Sequence, residues 1–235
     1  MKSGDDLSAQ SLAEVVGDRR VQSHQVLLST AVAAADWARA GAPHGAAIVA
    51  DQQIAPRGRA GRPWSVAPGS DLAFAVVLRP PLESAREGWL YAVVVAALAD
   101  ACAGELSIEW PDEIQRDGAM AAAAGIEVRL GGTTIKWAVV NVLVRGAEPP
   151  RGPLLGAVLQ AIDARLAAPP AAVLADYVPR CRTIGRDVRV RLLGGATRLQ
   201  GRALEVLDDG ALVLEAEGGR RVPVRPQDIS SIEEL

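Results

Sequence analysis

Lysine is nearly absent from this chain of 235 residues: Lys2 and Lys136 are the only two among 25 basic side chains, the rest being arginine. Any chemistry that needs a lysine therefore has two candidates. Histidine is as scarce, and His24 and His44 sit in loops with no partner pattern, which supports neither a metal site nor a nucleophile triad. Aromatic residues make up 3%. The core must then be built from Ala, Val and Leu, and no stacking platform for RNA accompanies the basic residues. An excess of one charge is missing too: 25 basic against 28 acidic residues leaves −3, unlike the basic footprint of a polyanion binder. The two cysteines, Cys102 and Cys181, lie far apart in sequence. The longest apolar run, residues 89–99, is too short for a bilayer and is followed by Asp100. The first 17 residues are polar and acidic, without the basic-then-apolar order of a secretion signal. These absences together predict a soluble cytoplasmic protein with free thiols and no membrane partner.

Hydrophobic residues make up 49%, enough for a sizeable core. Residues 1–25 lack periodicity and read as a flexible leader. Ser29 or Thr30 can cap a helix that runs to Ala40 and stops at Gly41. Short apolar runs at 46–50 and 72–78 read as strands around a loop, 51–71, rich in Gly, Pro and Arg. Helical spacing returns over 86–101, a short strand over 106–110, and two strands over 125–130 and 133–144 flank Gly131-Gly132. Residues 119–124 are low-complexity, and residues 154–166 show one amphipathic face before Pro169-Pro170 ends the helix. Beyond about residue 178, short alternating segments separated by Gly194-Gly195, Asp208-Asp209-Gly210 and Gly218-Gly219 predict a small all-β barrel. The expected division is a leader (1–25), an α+β domain (26–176) and a barrel (177–235).

Three segments carry chemical interest. Arg57-Gly58-Arg59-Ala60-Gly61-Arg62 alternates guanidinium forks, which pair with carboxylate or phosphate, with glycines that admit close backbone approach. The same composition also suits a solvated linker. Glu109-Trp110-Pro111-Asp112-Glu113 places two carboxylates at a strand end, where they can meet Mg²⁺ or simply close a turn. Asn141 is a polar amide in an apolar strand, bonded either to a ligand or to backbone.

Taken in order, these segments resemble the biotin–protein ligase family over roughly residues 25–235. Ser29-Thr30 resembles the start of the family's Ser-Thr-Asn biotin-binding segment, with Ala31 in place of Asn. Gln53 falls at the family's biotin-contacting Gln. Residues 57–64, ending in Trp64, resemble the Gly-Arg-Gly-Arg-x-Gly-Arg-x-Trp loop, with Pro56 in place of the first Gly. The tail from Tyr177 through Cys181-Arg-Thr-Ile-Gly185 to Asp228-Ile229 resembles the C-terminal barrel. The resemblance implies a class II synthetase-like, mostly antiparallel sheet with helices on one face, followed by an SH3-like barrel. It implies biotin held by Ser29, Thr30, Gln53, Arg57 and Gly58, and adenylate held by Arg59, Arg62, Trp64 and Asn141. Arg59 and Asn141 would be the catalytic pair, and Asp112 and Glu113 the Mg²⁺ ligands. ATP and Mg²⁺ would enter as substrates, with no permanent cofactor. The partner would be a biotin carboxyl-carrier domain rather than DNA, since the stretch before Ser29 is too short for a winged helix. The chain would be a monomer or a homodimer.

The departures matter as much. Glu109-Trp110-Pro111-Asp112-Glu113 stands where the family has Lys-Trp-Pro-Asn-Asp, which adds negative charge near a triphosphate. Ala122 takes the place of the Lys that stabilises charge during attack on the α-phosphate, and Trp137 and Val139 replace glycines. Strand parity puts residues 137, 139 and 141 on one face, so Trp137 and Val139 would fill ligand volume, while Lys136 points away. Two readings follow: a ligase forming biotinyl-AMP, or a non-catalytic paralogue binding a small acid, an adenylate or a protein partner.

Overall fold

The computed structural model describes residues 5–148, 150–195 and 198–235. Along the chain run α1 (Ala9–Ala13), β1 (Val21–Leu27), α2 (Thr30–Arg39), β2 (Ala47–Gln53), β3 (Leu72–Leu78), α3 (Trp89–Ala101), β4 (Ser107–Glu109), β5 (Glu113–Arg116), β6 (Ala119–Gly131) and β7 (Thr134–Val144). Then follow α4 (Gly152–Ala167), α5 (Pro170–Tyr177), β8 (Asp187–Leu192), β9 (Arg198–Val206), β10 (Leu212–Ala216), β11 (Arg220–Val224) and β12 (Ile229–Glu234). The first sheet has seven strands in the order β1-β2-β3-β7-β6-β5-β4, antiparallel except for the β1–β2 pair. The second has five, in the order β11-β10-β9-β8-β12. A mostly antiparallel sheet with a separate all-β unit is the fold class that the sequence predicts, but the helices expected on one face cover both, with α2 on one and α3, α4 and α5 on the other.

The apolar sequence of β3, Leu-Ala-Phe-Ala-Val-Val-Leu, is buried along its whole length because both sheet faces are covered. Phe74 and Val76 join the main core under α3, α4 and α5, whereas Ala75 and Val77 face α2. Alanine explains the second contact: Ala34, Ala35 and Ala38 of α2 lie against Ala75 and Ile48, and small side chains let helix and sheet approach closely. Helix α3 carries buried residues from Trp89 to Leu98 on all sides, as a helix packed between a sheet and other helices must. Among the described residues no helix is long and apolar enough to cross a membrane. Cys102 and Cys181 are both free and buried.

The structure corrects several sequence expectations. The stretch taken for a flexible leader is ordered from residue 5; residues 1–4 lie outside the description. Leu7, Leu12 and Val16 join the core, and β1 adds an edge strand beside β2. This segment is anchored through Asp6, whose buried carboxylate takes a bidentate pair from Arg151 at 2.8 and 2.9 Å. A five-residue helix and a half-exposed strand give no periodic signal, which is why sequence missed them. The low-complexity, alanine-rich stretch 119–124 is the first half of β6, since alanine suits a strand wedged under α3. Helix α5, β5 and β12 are further elements that the sequence pattern does not predict.

An ordered N-terminal segment predicts that Leu12→Ala lowers the free energy of unfolding by about 2–5 kcal/mol in denaturant titration. A mobile leader would show no change.

Candidate functional site

The arginine–glycine loop folds as a small hairpin. Gly58 N–H donates to the Arg62 carbonyl at 2.7 Å, and Trp64 N–H to the Pro56 carbonyl at 3.0 Å. Ala60 and Gly61 turn the tip with φ of 53° and 71°. The Trp64 indole lies against Gly58, so closely that a Cβ there would stand 2.3 Å from its ring. The hairpin then sits down on the sheet. A Cβ on Gly125 of β6 would stand 2.7 Å from the Gly58 carbonyl carbon and 2.9 Å from the Arg59 nitrogen. Asn141, the cross-strand partner of Gly125, donates its Nδ2 to the Arg57 carbonyl.

Beneath the loop lies a buried polar cluster that includes three of the residues assigned to biotin. Gln53 Oε1 accepts the Thr30 backbone N–H at 2.9 Å. The Thr30 hydroxyl lies 3.1 Å from Gln53 Oε1 and 3.0 Å from Asn141 Oδ1. With one proton and with Gln53 Oε1 already bonded, that hydroxyl serves Asn141. A continuous path therefore runs from Gln53 through Thr30 and Asn141 to the loop backbone. Ser29 sits at the cap of α2, but its side chain makes no capping bond; its Oγ is buried without a partner. A buried orphan hydroxyl costs free energy unless something meets it, so this spot has an unused polar group to offer a ligand or a water. Trp137 and Val139 share the face of Asn141 and pack on α2, as strand parity predicts. Lys136 is exposed.

The remaining site residues gather elsewhere. Arg59 turns inward, 4% exposed, with Nε 2.9 Å from Asp112 Oδ1 and Nη1 donating to the Ile229 carbonyl at 2.7 Å. The Nε contact is one of charge, since the N–H is not aligned for a hydrogen bond. Arg62 donates to the Ser230 carbonyl at 2.7 Å, so both arginines reach β12 of the barrel. The exposed Arg57 folds back onto the Gly61 carbonyl. Arg59, Arg62, Asp112 and Glu113 line a cavity of about 320 Å³ between the large sheet and the barrel, together with Glu109 and Arg186. Burial pushes the Asp112 carboxyl above the usual carboxylate range, against the pull of Arg59 and Arg62. Burial and then the charge of Asp112 push Glu113 up as well. Among the described residues no group of three or more His, Cys, Asp or Glu could hold a metal ion. Asp112 and Glu113 remain a pair, and one of them faces an arginine.

Sequence reasoning expected Glu109 to add repulsion near a triphosphate unless a metal compensates. Instead Arg186 meets it at 3.3 Å, and Thr183 donates to it at 3.1 Å. Both come from the segment that enters the barrel, and no local pattern announces them. Ala122 is fully buried in the core under α3, on the face opposite Asn141, because Gly125 and not Ala122 shares the Asn141 face. Gly125 was legible in sequence only as part of a strand; its role as the seat of the loop needs coordinates.

No family model matches the chain. It is similar to the bifunctional ligase/repressor BirA of Bacillus subtilis, 26% identical over 88% of this chain and 72% of the relative. It is 29% identical to the biotin–[acetyl-CoA-carboxylase] ligase of Mycobacterium tuberculosis over 79% of this chain and 78% of the relative. Among solved structures, the biotin protein ligase of Aquifex aeolicus in complex with biotin and ATP shares the fold. Its TM-score is 0.72 at 18% identity, over 92% of this chain and 99% of that one.

A raised Glu113 pKa means that the folded state holds a proton which the unfolded chain has already lost. Its contribution to stability is therefore full at acid pH and declines as pH rises above the ordinary glutamate value of 4.5. Glu113→Gln should raise Tm relative to the parent by an amount that grows between pH 4.5 and 7. A gap that stays constant with pH contradicts the assignment.

Proposed function

We propose that this chain, which is similar in sequence to biotin–protein ligases, binds biotin under the arginine–glycine loop and joins it, through biotinyl-AMP, to a lysine of a carboxyl-carrier domain. The biotin carboxylate would attack the α-phosphate of ATP and pyrophosphate would leave; the acceptor amine would then take the acyl group and release AMP. One observation carries this reading. The orphaned Ser29 hydroxyl and the Gln53–Thr30–Asn141 path lie below a loop that is already seated on Gly125 and Asn141. Ser29, Thr30 and Gln53 would bind biotin's polar head, while Arg59 and Arg62 would meet the adenylate from the cavity side. Mg²⁺ suits the residues present as an ion held by one or two carboxylates plus substrate phosphates, with Glu113 the carboxylate that pairs with no arginine. It would supply charge neutralisation of the phosphates.

A second reading, a non-catalytic paralogue that binds without adenylating, is favoured by one specific arrangement. The position of the family's lysine is an alanine aimed into the α3 core, and Arg59 already faces Asp112. Trp137 and Val139 occupy the face beside Asn141.

Incubation with biotin, MgATP and a carrier domain separates the readings. Pyrophosphate release and a biotinylated carrier are expected, at a rate roughly 10²–10³ below that of a lysine-bearing relative. Biotin binding in calorimetry without product would establish the second reading with biotin as its ligand, and absence of biotin binding would sink the first. Ala122→Lys should lower Tm without raising the rate, since it drives an ammonium into an apolar core. A faster enzyme would show that the side chain reaches the ligand face.

A further inference from the structure

The loop over residues 51–71 is closed at its base by a charge cluster that the family motifs do not include. Arg151, fully buried immediately before α4, is its centre. Its guanidinium lies 2.7 Å from Asp51 Oδ1, on β2 two residues before Gln53, and donates to the Asp71 carbonyl at 3.1 Å. The loop's start and end thus meet one side chain. Asp51 adds a second tie, accepting the Gly69 N–H at 3.0 Å. The Asp71 carboxylate accepts from Ala67 N–H and Gly146 N–H, at 2.9 and 3.0 Å, and lies 3.3 Å from Arg145. Arg145 and Gly146 follow directly on β7, the strand that carries Asn141, and Arg151 stands further along at the start of α4. Asp6 completes the cluster, and Arg151's hydrogen bonds hold its carboxyl below the usual range.

We infer that Arg151 is a positioning residue: it pins both ends of the loop to the continuation of the Asn141 strand, so that the tip can close on Gly125 and Asn141. Pairing of Ala50 with Ala73 already brings the ends of the loop together, and the guanidinium extends that closure past the last paired residues, which leaves the tip a shorter stretch to order. The planar guanidinium suits the task, because its fork serves Asp6 bidentately while the remaining N–H groups reach Asp51 and Asp71. The inference rests on the loop being the ligand lid, but its test does not require biotin.

The loop supplies its own probe, since trypsin cleaves after Arg57 and Arg59 when the tip opens. Asp51→Ala removes one of the two ties from Arg151 to the loop and leaves Asp6 to neutralise the guanidinium. Val158→Ala, in the buried face of α4, lowers stability without touching the cluster. The expected result is roughly tenfold faster cleavage after Arg57 and Arg59 in Asp51→Ala at matched fraction folded, with a parallel rise in the Kd for biotin. In Val158→Ala, loop cleavage should follow global Tm alone. If Asp51→Ala does not fold, the isosteric Asp51→Asn takes its place; it keeps an acceptor for the Gly69 N–H and loses the charge that faces Arg151, so a smaller acceleration in the same direction is expected. Cleavage that tracks Tm in both variants reduces Arg151 to a structural ion pair and overturns the inference. Failure of the parent to bind biotin would instead count against the proposed function, leaving the cleavage comparison valid.

Discussion

Everything proposed for this site depends on one close approach. The backbone of Gly58 and Arg59 rests on Gly125 with no room for a side chain between them. The Asn141 amide, opposite Gly125, fixes the approach by donating to the Arg57 carbonyl. Without that seat the arginines would hang in solvent, and Arg59 would reach neither Asp112 nor the barrel. With it, a loop whose composition suits a linker becomes a wall of the site. The contact also gives the barrel a part, because the loop tip is held on its far side by carbonyls of β12.

The replaced charges make sense within this closed arrangement. Asp112 stands where the family has an amide, yet its charge faces Arg59. Glu109 stands where the family has a cation, and Arg186 and Thr183 meet it. Each substitution that looks repulsive in sequence is compensated by a residue distant in the chain but near in space. The compensation costs ligand-binding capacity: two arginines that a triphosphate could use already have partners. A buried pair of this kind is poor evidence of extra stability, because desolvation offsets much of the attraction. Its effect here is to fix where the loop lies.

The long elements were legible because their patterns are strong. The apolar run of β3, the helical spacing of α3 and α4, and the turn-separated strands of the barrel all follow from periodicity. Strand parity alone placed Trp137 and Val139 with Asn141 and turned Lys136 outward. The rest was hidden for physical reasons. The ordered N-terminal segment owes its place to Asp6 and Arg151, 145 residues apart, which no local window can join. The alanines of β6 carry no strand propensity; they are there because a helix lies on them. Ala122 could be assigned to a motif but not to a face, and the face decides whether a lysine there could act.

Gly125→Ala tests the seat of the loop most directly. The glycine has ordinary strand backbone, so a methyl group is tolerated by the sheet and opposed only by the loop above it. Hydrogen exchange of the amides in residues 57–64, measured beside those of β6 and β7, reads the two effects separately. The account predicts exchange in the loop faster by on the order of tenfold or more, with the strands still protected. Equal protection of the loop in variant and parent would mean that it does not rest on Gly125.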